Sequence, residues 1–155
     1  MDLPDSPPST ASAPPRAVTG RLALLLARAD KEIQARSAPR LAELELTGRQ
    51  YHALAVLAED RPGSQLELAT ALGVLPAIVV TLVDDLEGRG LLRRQRDPRD
   101  RRRQSLTLTD QGHALLRRAD ALAAAVEDDV LAGIGATARA DLRAALAAAL
   151  APPTA

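Results

Sequence analysis

The sequence predicts a mainly α fold carrying one small β-hairpin, and three observations point that way. Apolar residues recur at helical spacing along most of the chain, as amphipathic helices require. Capping residues and Gly or Pro breakers separate those periodic segments. One stretch, Glu87–Gly112, leaves the helical period: an apolar-basic strand at Leu91–Gln95, a turn on Asp97-Pro98, and a second strand at Ser105–Leu108. Composition agrees. Of 155 residues 46% are apolar but only 1% aromatic, with Tyr51 the sole member, so the core is Leu, Ala, Val and Ile. Such a core favours closely packed helices.

Residues 1–15 hold five of the eleven prolines and no basic residue, and are expected to be a disordered tail. From Arg16 the pattern turns helical, with Leu22, Leu26, Ala29 and Ile33 on one face, and Pro39 is expected to interrupt it. Thr47 starts a second helix, with Gln50 completing a capping box and Tyr51, Leu54, Leu57 and Ala58 as its apolar face. Arg61-Pro62-Gly63 reads as a turn. Ser64 caps a third helix, with Glu67 in the capping-box position, Leu66, Ala69 and Leu72 expected inward, and Gly73 as its end.

Pro76 occupies the first position of a fourth helix running to about Gly88, with Val79, Leu82, Val83 and Leu86 as its buried side. Gly88 and Gly90 supply its C-cap. After the hairpin, Thr109 offers an N-cap to a long amphipathic helix from about Asp110 to Val130, with Leu115, Ala119, Leu122, Val126 and Val130 in register. Gly133 and Gly135 break it. A last helix, with Thr137 as expected cap, carries Leu142, Leu146 and Leu150, and residues 151–155 form a frayed tail.

A short helix, a tight Gly turn and a second helix make a helix–turn–helix, whose second helix normally enters the major groove of DNA. Here a basic hairpin follows directly, which is the winged-helix arrangement with the hairpin as wing. Seven arginines fall in the eleven residues Arg93–Arg103, offset only by Asp97 and Asp100, although the formal net charge of the chain is zero. Guanidinium groups at this density suit a polyanion, since they pair with phosphates and enter narrow minor grooves. A local basic patch on a neutral protein is a directed footprint rather than general stickiness.

Other classes are disfavoured. With no cysteine, disulfides, thiol redox sensing and cysteine-based metal sites are excluded. His52 and His113 have no ligand-like spacing, so neither a metal site nor a cofactor is expected. An enzyme is not expected either, because capping explains Ser64 and neither histidine sits beside an orienting acid. No signal-peptide pattern and no run of ~18 apolar residues is present. A cytoplasmic location without membrane association is expected.

The chain resembles the MarR family of bacterial transcriptional regulators over roughly residues 18–150. The resemblance rests on L-T-G-R-Q-Y-H-A-L (Leu46–Leu54), S-Q-L-E-L-A-T-A-L-G-V (Ser64–Val74), L-V-D-D-L-E-G-R-G-L-L-R-R (Leu82–Arg94) and, most specifically, D-P-R-D-R-R-R-Q-S-L-T-L-T-D-Q-G (Asp97–Gly112). It implies a homodimeric winged-helix repressor of double-stranded DNA, its outer helices interlocked about a two-fold axis, released by a small ligand bound between its dimerisation and DNA-binding parts. The implied organisation is a dimerisation helix at 16–40, a winged helix–turn–helix domain at 41–112 and dimerisation helices at 113–150.

By position, the resemblance makes Arg102 the wing-tip arginine in the minor groove, among Arg99, Arg101 and Arg103, with Asp100 bracing the loop and Arg94 supporting its base. Ser64 and Gln65 would meet phosphate at a helix N-terminus. On the recognition helix, Pro76, Ala77, Val80 and Thr81 would face the groove. This helix departs from the common pattern, with Ala77, Ile78, Val80 and Thr81 where many relatives place Ser, Thr and Arg, and Asp85 where a base is common. Ala77 and Val80 can touch thymine methyl groups. Asp84 and Asp85 are expected to pair with wing or neighbouring arginines rather than face phosphate. A small organic effector, such as an aromatic acid held by an arginine, is expected in a pocket lined by Tyr51, Leu54 and first-helix residues. The rival reading is a winged-helix module that docks a protein through its apolar recognition helix.

Overall fold

A computed structural model describes residues 20–60, 62, 64–96 and 104–151. The elements are α1 (Leu22–Ala42), α2 (Gly48–Glu59), α3 (Gln65–Leu72), α4 (Pro76–Gly88), β1 (Leu92–Arg96), β2 (Gln104–Leu108), α5 (Asp110–Val130) and α6 (Ala136–Leu150). The fold is mainly helical with one antiparallel hairpin, as the sequence predicts.

Most helix starts follow the capping chemistry. The Thr47 hydroxyl accepts from Gln50 N, and the Gln50 side chain accepts from Thr47 N, closing a capping box. Ser64 Oγ accepts from Glu67 N at 3.2 Å, and Thr109 Oγ1 accepts from Gly112 N at 3.1 Å. Pro76 begins α4. At the other end of α4, Gly90 has φ 70°, which glycine adopts at no steric cost. That conformation lets Gly90 N donate to Glu87 O and Leu91 N to Leu86 O, both at 2.9 Å, a Schellman closure that turns the chain into the wing.

Three local expectations are corrected. Pro39 lies inside α1 instead of ending it. It sits in the last turn, where buried Ser37 and Leu41 on either side anchor the helix against its neighbours. Leu66 is 64% exposed, and Leu68 takes the inward position on α3. Thr137 does not cap α6: the N-cap is Gly135, without a side-chain hydrogen bond.

The core gathers Leu54 and Leu57 of α2, Leu68 of α3, Val79, Val83 and Leu86 of α4, and Leu91, Leu92, Leu106 and Leu108 around the hairpin. All four α4 positions expected inward are buried. In α5, Ala119 and Val126 are buried as expected, together with Leu116, while Leu115, Leu122 and Val130 are half-buried. α1 packs on α5 and α2, α3 on α4, and α4 on β1. α6 buries none of its side chains. Among the described residues no single helix is long and apolar enough to cross a membrane.

Candidate nucleic-acid interface and effector cavity

α3 and α4 meet at a bend of 109°, within the range of helix–turn–helix units. With Val79, Leu82, Val83 and Leu86 buried, the opposite face of α4 presents Pro76, Ala77, Val80 and Thr81 to solvent. Ser64 and Gln65 are half-buried at the start of α3. The Ser64 oxygen is engaged as a cap, but its O–H remains a donor.

The acids of α4 are turned to other work. In the hairpin Arg94 pairs with Leu106 and Leu92 with Leu108, so Arg94 shares the hairpin face of buried Leu92. From there its guanidinium ion-pairs with Asp84 and Glu87 of α4, and its backbone N–H donates to Glu87 Oε1 at 3.1 Å. The Asp84 hydrogen bond is the main influence raising the Arg94 pKa above its ordinary value, with Glu87 adding and burial opposing. Asp85 accepts from Gln50 Nε2 at 2.6 Å and lies 3.9 Å from Arg89. The expectation that Asp84 and Asp85 pair with wing or neighbouring arginines therefore holds. Arg94 is a tie between wing and helix, with both ends of its guanidinium occupied by carboxylates. On the other hairpin face Arg93 and Gln95 are exposed. Arg99, Asp100, Arg101, Arg102 and Arg103 lie outside the described residues.

The start of α5 excludes a side chain at one position, for a steric reason. A Cβ on Gly112 would lie 2.0 Å from the Leu91 carbonyl oxygen. Thr109 secures the same junction, its N–H donating to Leu91 O at 3.1 Å and its hydroxyl to Gly90 O at 2.7 Å. The L-T-x-x-G stretch thus staples the start of α5 to the root of the wing.

A cavity of about 680 Å³ opens where α1, α2 and α5 converge. Its apolar lining includes Ile33, Leu41, Ala55, Leu72, Val74 and Ala123, and its polar lining includes Ser37, Arg49, Tyr51, His52 and Glu127. Tyr51 lines it as expected. Leu54 does not: it is fully buried in the core and is not among the lining residues. The Tyr51 hydroxyl donates to Asp120 Oδ1 at 3.0 Å, bridging α2 to α5. Burial first, then the Asp120 hydrogen bond and the charges of Asp120, Glu127 and Glu59, push the Tyr51 pKa up to about 12. Among the described residues no cluster of three His, Asp or Glu side chains could hold a metal ion.

Sequence reasoning missed Arg49, Gln50 and Arg89 as site residues. Gln50 was legible only as a capping residue, and its second partner, Asp85, lies 35 positions away. Arg49 also borders a second cleft of about 780 Å³ with Thr47, Gln50, Ala77, Thr81 and Asp85, on the exposed side of α4.

Comparison with known proteins bears on this geometry. The MarR family model matches residues 46–103. CouR from Rhodococcus jostii RHA1 bound to p-coumaroyl-CoA is 30% identical, with 91% of this chain and 99% of that one covered and a TM-score of 0.76. The transcriptional repressor CouR bound to a 23-mer DNA duplex is 35% identical, covering 88% and 96% of the two chains with a TM-score of 0.74. The Mycobacterium tuberculosis MarR family protein Rv2887 in complex with salicylic acid is 31% identical, covering 81% and 93% with a TM-score of 0.68. A winged helix–turn–helix with these relatives along nearly its whole length is a member of one family: this chain belongs to the MarR family.

Proposed function

We propose that the protein is a ligand-responsive transcriptional repressor that binds a pseudo-palindromic operator as a homodimer. The observation that carries this reading is the electrostatic layout of α4. Its two aspartates and Glu87 are drawn to Arg94, Arg89 and Gln50, leaving Ala77, Val80 and Thr81 on the exposed face. The arginine-rich hairpin is tied to the same helix by Arg94. A helix relieved of its negative charge beside a cationic wing suits insertion into a major groove with the wing in the flanking minor groove. In this reading Arg102, with Arg99, Arg101 and Arg103, is the minor-groove reader, and Asp100 braces the loop. Ser64, Gln65 and Pro76 approach phosphate, and Ala77, Val80 and Thr81 face the bases.

The dimer is formed by α1, α5 and α6. Leu22, Leu24, Leu25 and Leu26 of α1 and Leu142 and Leu150 of α6 are exposed in the single subunit. The 680 Å³ cavity is the effector site. Its apolar body with Arg49 and His52 at the wall suits an aromatic anion, and relatives are found with salicylic acid and with p-coumaroyl-CoA.

The test is titration of the protein onto the DNA upstream of its own gene at several salt concentrations. With ~6–10 phosphate contacts, affinity falls about 10³–10⁵-fold between 50 and 200 mM salt. The apolar face of α4 offers a second reading, a protein-docking wing, and a flat salt response would favour that reading instead.

A further inference from the structure

Arg49 stands on the first turn of α2 with its side chain exposed, and it borders both the effector cavity and the cleft beside α4. Each space holds a carboxylate that could have neutralised it. Asp85 in the cleft is instead engaged by Gln50 and Arg89, and Glu127 in the cavity by Arg143 at 3.5 Å. Among the described residues the Arg49 side chain has no ion-pair or hydrogen-bond partner. It is a free guanidinium at the wall between two openings, one of which is shared with the groove-facing residues Ala77 and Thr81.

We propose that Arg49 is a binding residue for two anions in turn: a DNA backbone phosphate in the cleft beside α4, and the carboxylate of an aromatic effector in the cavity. Planar guanidinium pairs bidentately with either group, and it cannot serve both at once. Effector binding then removes one phosphate contact from each subunit without requiring the recognition helix to move. The Gln50–Asp85 hydrogen bond keeps α4 in register while this exchange takes place, because Gln50 is already fixed by its capping bond to Thr47. The proposal rests on the regulatory reading above, and it adds the residue through which ligand and DNA oppose one another.

The experiment compares wild type, Arg49→Gln and Arg49→Lys as full-length dimers on operator DNA, with salicylate as probe. Arg49 is exposed, so circular dichroism and melting should be unchanged in both variants. Two lost phosphate contacts per dimer lower the log–log salt slope of Arg49→Gln by about 2, and Arg49→Lys, which keeps the charge, retains the wild-type slope. Salicylate weakens DNA binding by wild type about 5- to 150-fold, the usual span of such coupling, and leaves Arg49→Gln nearly unaffected. An unchanged salt slope in Arg49→Gln overturns the phosphate contact. A wild type indifferent to salicylate, or an Arg49→Gln protein released as strongly as wild type, overturns the competition. If wild type itself binds the DNA without salt dependence, the regulatory reading falls as well, which separates the two failures.

Discussion

Gly112 shows how one residue can carry a joint between two elements. A side chain there would collide with the Leu91 backbone, which the Thr109 bonds hold in place. Backbone cannot yield as a flexible side chain can, so Gly112→Ala should reach the upper end of the ~1–3 kcal/mol typical of overpacking. At about 2–4 °C per kcal/mol for a chain of this size, melting should drop roughly 6–12 °C at fixed protein concentration. An unchanged melting temperature would mean that α5 does not approach the wing root this closely. Tyr51 offers a second residue-scale prediction. Its folded pKa of about 12 lies above the ordinary tyrosine value of 10.0, so the native state keeps the phenol proton in a window where the unfolded chain has lost it. The stabilisation is therefore complete below pH 10 and disappears as pH rises through 12. Because Tyr51 is the only aromatic residue, tyrosinate absorbance reports it alone, and a folded-state midpoint at 10 would contradict both its burial and the Asp120 bridge. Neither role could be read from the sequence. Asp120 is 69 positions from Tyr51, and the Gly112 motif was recognisable by pattern without its steric cause.

At the scale of elements the sequence was most legible where local chemistry decides the structure. The Thr47–Gln50 box, the Ser64 and Thr109 caps, Pro76 at the start of α4 and the Gly90 closure all rest on contacts within a few residues. Local rules failed where packing overrode them. Pro39 is carried in α1 between buried Ser37 and Leu41, and Leu66 yields the inward face of α3 to Leu68. The attachment of the wing to α4 joins distant residues; the expected support of the wing base by Arg94 and the pairing of Asp84 with an arginine anticipated it, but not the part of Glu87. Arg94→Ala tests that attachment. The ion pairs are partly exposed and screened, so stability should fall by only about 1 kcal/mol. DNA affinity should fall further, because Asp84 and Glu87 would be left uncompensated beside the phosphate backbone. Adding Asp84→Asn should restore part of that affinity. If Arg94→Ala binds DNA as wild type does, the wing does not depend on this tie.

At the scale of the whole molecule, the single subunit leaves apolar side chains of α1 and α6 exposed. α6 buries no side chain of its own, and beside it lies an apolar cleft of about 340 Å³ lined by Leu131, Leu142, Leu146 and Leu150. Ion pairs from Arg139 to Asp128 and from Arg143 to Glu127 hold α6 beside α5. In the proposed dimer the exposed leucines at the start of α1 meet this surface on a second copy. Such a dimer should bury about 2,000 Å² or more and be obligate. Sedimentation at low micromolar concentration should show dimer only, and a dominant monomer would refute the architecture. Amphipathic helices with more apolar surface than one subunit can bury made this partner legible from the sequence, whereas of the cavity only Tyr51 and the first helix were anticipated, and its Arg49, His52 and Glu127 lining emerged when α1, α2 and α5 were brought together. The central claim, that the arginine wing reads DNA beside a largely apolar recognition helix, is tested most directly by titrating wild type and Arg102→Ala onto operators whose outer flanks are changed from A·T to G·C. Wild type should lose affinity on the G·C flanks. Arg102→Ala should lose about 1–3 kcal/mol for each of its two removed insertions, by analogy with base contacts, and bind both operators alike. If Arg102→Ala binds like wild type, or keeps the full flank preference, the wing is not the reader.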